Sequence, residues 1–203
     1  MKIKFCGIRR LEDVAAVNLC QPDYMGMILS GGFRRSISQE QAQCLVQEKS
    51  DAIAAVGVFV NESSETICRM AEQLHLQVIQ LHGNESAEQI QTLQQKTGLP
   101  VWKALRIGTL EELEAAGTNP ADCLILEGKT GAGIGGTGVC ADWELLARHS
   151  WNRSFFLAGG LQPVLEAIAT VSPTGVDFSS GIEEDGVKSL RRMKQLMTLI
   201  RGA

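Results

Sequence analysis

The sequence predicts a (β/α)8 barrel, and three observations carry that reading. Short β-type runs alternate with segments of helical apolar spacing, and eight such pairs recur at roughly 25 residues per unit. Polar, titratable or glycine-rich positions then fall repeatedly at the C-terminal ends of the runs, the rim where such barrels place their chemistry. A doubly wound open sheet shares the βα alternation and stays open as the other architecture.

The predicted strands, in order, are KIKFC (2–6), DYMGMIL (23–29), IAAVGVFV (53–60), LQVIQLH (76–82), PVWKAL (100–105), DCLILE (122–127), SFFLA (154–158) and GVDFS (175–179). Helical segments lie between them. SISQEQAQCLVQ starts after Ser36 or Ser38, NESSETICRMAEQL carries a capping-box pattern in SSET, and QPVLEAIATV has its proline in the first turn. The 203 residues are enough for one sizeable core, with no composition shift that marks a linker, so one domain over 1–203 is expected.

Composition narrows the functional classes. Hydrophobic residues make up 44% and charged residues 21%, the balance of a folded globular protein. The net charge of −4 gives no footprint for nucleic acid, and the one basic cluster, Arg191, Arg192 and Lys194, reads as a solvated helix face. No apolar run reaches the ~20 residues of a membrane span, and the chain opens directly on a strand; a cytoplasmic protein is expected. The six cysteines show no CxxC spacing and the three histidines stand apart, so neither a metal site nor a disulfide framework is expected. Cys6 stands out because it ends a strand beside a glycine.

The strand ends present Cys6, Arg34 and Arg35, Asn61, His82, Arg106, Glu127, the GGL of 159–161, and Asp177 with the SSG of 179–181. Any one of these reads equally well as a strand-end residue meeting solvent; the set on one rim does not. Gly159 and Gly160 let backbone N–H groups approach an anion, and Ser179, Ser180 and Gly181 do so from the next loop. Loops after the seventh and eighth strands form the recurrent phosphate site of this fold, which points to a phosphorylated substrate.

The segments KFCGIRR, VGVFVNES, IQLHGNE, GGTGVCADW, LAGGLQP and GVDFSSGIEEDGVKSLRRM together resemble, over essentially the whole chain, the ordered motifs of the phosphoribosylanthranilate isomerase family. Related histidine-pathway isomerases carry Asp where Cys6 stands. The resemblance implies an Amadori rearrangement of N-(5-phosphoribosyl)anthranilate in tryptophan biosynthesis, without metal or cofactor, by a monomer or homodimer. By motif position, Cys6 is the base at C2′ and Glu127 the acid at the ring oxygen. Arg35 contacts the anthranilate end, His82 and Asp177 line the site, and the two small-residue loops hold the phosphate.

That chemistry carries two expectations. A thiol serves as base when nearby positive charge lowers its pKa from ~8.5, and a glutamic acid donates near neutral pH when burial raises it from ~4.3. The sequence departs from the family in having Glu127 for Asp, GMIL for an aromatic-containing run, Gly31 and Gly32 for Ser and Pro, and GVCADW for GKTFDW. An isomerase using Glu127 is the first reading. The alternatives are a phosphate-binding barrel with impaired catalysis and an isomerase of another phosphorylated sugar.

Overall fold

The computed structural model describes residues 1–128, 142–159 and 164–202. Eight parallel strands follow chain order: β1 (Lys2–Cys6), β2 (Tyr24–Ile28), β3 (Ala54–Phe59), β4 (Val78–Leu81), β5 (Val101–Ile107), β6 (Cys123–Gly128), β7 (Phe155–Leu157) and β8 (Gly175–Phe178). Because β8 pairs back onto β1, with Lys4 beside Asp177 in register, the sheet is a closed barrel rather than an open doubly wound sheet.

Around it lie α1 (Leu11–Cys20), α2 (Gln39–Glu48), α3 (Ser64–Gln73), α4 (Ala87–Thr97), α5 (Leu110–Gly117), α6 (Trp143–Ala147), α7 (Val164–Val171) and α8 (Leu190–Arg201). Between β8 and α8 the chain makes a 3₁₀ turn (Ser180–Ile182) and a small hairpin of β9 (Glu183–Glu184) and β10 (Val187–Lys188).

Most helix starts are set locally. Ser38, Ser63, Ser86, Thr109, Asp142 and Ser189 each accept a backbone N–H three residues on, satisfying a donor that the first helical turn leaves unpaired. Of the two serines before α2, Ser38 is the cap. Ser36 is committed to the preceding loop, where its hydroxyl donates to the Ser30 carbonyl at 2.5 Å and accepts from Phe33 N–H at 3.1 Å.

Strand alternation divides the apolar residues into two layers. Ile3, Phe5, Met25, Met27, Phe59 and Leu124 pack outward against the helices in one large core. Val56, Val58, Val78, Trp102, Ala104, Ile125 and Phe156 point inward and fill the barrel itself. Tyr24, Trp102 and Phe156 meet ring to ring at 4.8, 5.7 and 5.0 Å. This plug involves the starts of β2 and β5, so the open space lies at the other, C-terminal end of the strands.

Several strands are a residue or two shorter than their apolar runs, but β5 is longer. It continues past 105 to Ile107 because its ladder with β6 persists through Arg106–Glu127 and Ile107–Gly128. Arg106 is thereby a strand residue facing the same way as Glu127.

Candidate active site

Strand parity brings Cys6, His82, Arg106 and Glu127 to the C-terminal mouth of the barrel, with Lys4, Gln80 and Asp177 one level below. A cavity of about 360 Å³ opens among His82, Glu85, Lys103, Arg106 and Glu127. No group of three or more His, Cys, Asp or Glu with metal-binding geometry occurs among the described residues.

Cys6 is buried at the top of β1. Below it Lys4, fully buried, donates to Asp177 Oδ2 at 2.7 Å, while Asp177 Oδ1 is buried with no hydrogen-bond partner among the described residues. Burial pushes the Cys6 thiol up; Lys4 opposes it, Asp177 adds to it, and Lys188 opposes weakly, leaving the thiol above its ordinary value. The expected depression is therefore corrected: removing a thiolate from water outweighs the lysine beside it.

Glu127 stands on β6, its side chain 15% exposed, with His82 Nε2 3.4 Å from Oε2. That contact is longer than a good hydrogen bond. On its other side the imidazole Nδ1 lies 3.2 Å from Gln80 Nε2. That contact turns the Nε2 edge of the ring toward Glu127. Burial pushes the Glu127 carboxyl up, but His82, Arg106 and Lys4 together hold it below the ordinary carboxylate value. Here too the expectation is corrected, because His82 after β4, Arg106 on the adjoining β5 and Lys4 on β1 across the barrel together outweigh the burial of the acid.

Arg35 is reached through a glycine. Gly7, at φ +74°, has no side chain, and a Cβ there would lie 2.5 Å from Arg35 Cδ. The guanidinium binds Glu183 bidentately, Nε to Oε1 at 2.6 Å and Nη2 to Oε2 at 2.9 Å. Arg34 and Lys188 join the same carboxylate at 2.7 and 2.9 Å, which holds Glu183 far below the carboxylate range despite its burial. Lys188 also donates to the Ser179 carbonyl at 2.8 Å, tying the β10 hairpin to the end of β8.

The small-residue loops lie on adjoining strands. Gly159 follows β7 with φ +90°, open to a glycine and strained for other residues; Ser179 follows β8, and Ser180 and Gly181 begin the 3₁₀ turn. Gly160 lies outside the described residues, as do residues 129–141 of the glycine-rich stretch that follows β6.

Residues 3–198 match the family model for N-(5′-phosphoribosyl)anthranilate (PRA) isomerase. The chain belongs to the phosphoribosylanthranilate isomerase family. N-(5′-phosphoribosyl)anthranilate isomerase of Caldanaerobacter subterraneus subsp. tengcongensis is 39% identical over 204 residues, covering 100% of this chain and 98% of that one. The Acetivibrio thermocellus protein of the same name is 36% identical, covering 99% and 96%. Among solved structures, phosphoribosylanthranilate isomerase from Thermotoga maritima superposes with a TM-score of 0.91 at 32% identity, covering 100% of both chains. Another isomerase structure, bound to reduced 1-(o-carboxyphenylamino)-1-deoxyribulose 5-phosphate, superposes at 0.85 with 30% identity and 100% coverage of both.

Sequence reasoning missed four residues that contact the predicted site residues: Lys4, Gln80, Glu183 and Lys188. The first two carried a usable signal. Lys4 lies two residues before Cys6, and Gln80 two before His82, so each shares the inward face of its strand. Glu183 and Lys188 had none beyond their place in GIEEDGVKS.

Proposed function

We infer that this protein is an isomerase that catalyses the Amadori rearrangement of N-(5-phosphoribosyl)anthranilate to 1-(2-carboxyphenylamino)-1-deoxyribulose 5-phosphate in tryptophan biosynthesis. The observation that carries the site reading is Cys6 and Glu127 converging from β1 and β6 on one barrel mouth, beside the loops that follow β7 and β8.

In this reading Glu127 protonates the ribose ring oxygen, the C1′–O bond breaks, and the anthranilate nitrogen's lone pair forms a C1′=N iminium. The Cys6 thiolate then removes the C2′ proton, whose electron pair neutralises the iminium and leaves an enolamine. Transfer of the enol proton to C1′ completes the ketone. C1′ is reduced as C2′ is oxidised, so the rearrangement balances without a cofactor.

With the Cys6 thiol above its ordinary value and the Glu127 carboxyl below its own, the proton rests on Cys6 and Glu127 is ionised. Catalysis by this route therefore runs through the state in which that proton has moved to Glu127, and each turnover returns it to Cys6. Arg35, its plane set by Glu183, meets the anthranilate carboxylate, and His82 and Asp177 line the site. Gly159, Gly160, Ser179, Ser180 and Gly181 supply N–H groups to the phosphate. One barrel domain over 1–203, a monomeric or homodimeric state and a cytoplasmic location complete the proposal.

Complementation of a tryptophan auxotroph lacking this isomerase tests the function. Wild type should restore growth, and Cys6→Ser should fold normally yet lose at least ~10²-fold in turnover. Folded wild type that gives neither growth nor turnover would favour the phosphate-binding barrel, a reading to which the ionised Glu127 lends its one specific support.

A further inference from the structure

A lysine with no solvent exposure at all, on the inward face of a barrel strand, calls for a reason beyond packing. Transferring an ammonium from water costs several kcal/mol even after relaxation, and an apolar side chain of similar length would fill the same space. Lys2, on the same strand face, shows the ordinary outcome: it reaches outward to Asp23 at 2.8 Å with its side chain 55% exposed. Lys4 instead runs into the barrel and meets Asp177 Oδ2 at 2.7 Å, with its ammonium beside the Cys6 thiol over Gly26.

The space that lets these groups meet comes from the neighbouring strand. Gly26 pairs with Cys6 in register, and a Cβ there would lie 2.9 Å from Cys6 Sγ and 3.1 Å from both Cε and Nζ of Lys4. Any larger residue would displace the sulfur or the ammonium.

We propose that Lys4 is a positioning residue for the Cys6 base: its ammonium, enclosed between Asp177 and the sulfur, stabilises the thiolate that removes the C2′ proton. The proposal rests on the reading of Cys6 as base. Among the described residues, the charged groups facing Cys6 are Lys4 on its own strand, Asp177 from β8 and Lys188 from β10, while β2 sets the uncharged Gly26 beside it. Lys188 is already bound to Glu183 at 2.9 Å and to the Ser179 carbonyl at 2.8 Å. Asp177 is the anion that keeps Lys4 charged, and Glu127 senses the same ammonium from β6. Lys4 is accordingly the main influence opposing burial at the thiol.

The test is the pH dependence of Cys6 alkylation by iodoacetamide, read peptide by peptide so that Cys68 serves as internal control. In Lys4→Met the Cys6 midpoint should rise by about one pH unit or more, slowing its alkylation at least ~10-fold at fixed pH below the midpoint, while Cys68 is unchanged. Turnover should fall by a similar factor with KM nearly constant. If the unpaired Asp177 prevents folding, Lys4→Met/Asp177→Asn replaces the pair by neutral groups of similar volume, and the midpoint should still rise. In wild type itself, the Lys4 ¹⁵Nζ resonance should step at the pH where Cys6 ionises.

A folded variant whose Cys6 titrates at the wild-type pH overturns the proposal, as does a Lys4 resonance blind to Cys6. If Cys6→Ser is inactive in that case, the base reading survives alone. Wild-type turnover in Cys6→Ser overturns both.

Discussion

Replacing His82 by Phe should hand the protonation state of Glu127 over to burial. The carboxylate lies 3.4 Å from the imidazole Nε2 with its side chain 15% exposed. Burial alone drives it up, and the imidazole is the largest opposing influence, ahead of Arg106 and Lys4. A well-formed hydrogen bond to a charged group is worth about 1.5–3 kcal/mol and one pKa unit about 1.4 kcal/mol, so this long contact corresponds to about one unit. The phenyl ring keeps the bulk of the imidazole and removes its polar edge. Glu127 should then titrate about one unit higher.

The assay is ¹³C NMR of side-chain-labelled glutamate, with the Glu127 resonance identified by its absence in Glu127→Gln. Stability follows the same linkage. Because the folded pKa of Glu127 is depressed, its contribution is present above the unfolded value of about 4.3 and is lost as pH falls through the folded value. The stability difference between wild type and variant should thus be largest above that pH and shrink toward acid. What remains is the Gln80 amide, which loses its 3.2 Å partner while its Oε1 already has none among the described residues, at a cost of about 1–3 kcal/mol. A folded His82→Phe protein whose Glu127 titrates at or below the wild-type value refutes the idea that the imidazole keeps this acid ionised.

Glu127→Gln keeps shape but has no proton of useful acidity, so turnover should fall by ~10² or more with substrate affinity little changed; a wild-type rate removes Glu127 from the mechanism. Glu183→Gln leaves Arg35 and Lys188 facing a neutral amide at a position 7% exposed, and should destabilise by about 3–5 kcal/mol in denaturant titrations. Since the Glu183 pKa is depressed, that loss should be full above the ordinary unfolded carboxylate value and diminish as pH falls toward the folded one, and a pH-independent difference would contradict the ion-pair account. Gly26→Ala places a methyl 2.9 Å from Cys6 Sγ, so overpacking should cost about 1–3 kcal/mol, and turnover should drop along with it. Unchanged turnover and melting would show that the space over Gly26 is not needed.

Much of this protein was legible without coordinates because the rules involved are local. Period-two alternation assigns Ile3 and Phe5 to one face and Cys6 to the other, whatever the rest of the chain does, and a barrel's rim follows from where strands end. The N-cap serines are local too, apart from the choice between Ser36 and Ser38, which turned on a hydrogen bond to Ser30 within the loop. Tertiary structure decided what no neighbourhood in sequence encodes. KIKFC puts Lys2 and Lys4 on one face, yet only barrel closure sets Lys4 beside Asp177, 173 residues away, and leaves Lys2 at the surface with Asp23. Arg35 met Glu183 across 148 residues in the same way. Both protonation states were misjudged from sequence for one physical reason: a pKa sums burial against every nearby charge. Those groups come to surround Cys6 and Glu127 from strands distant in sequence only once the barrel has closed.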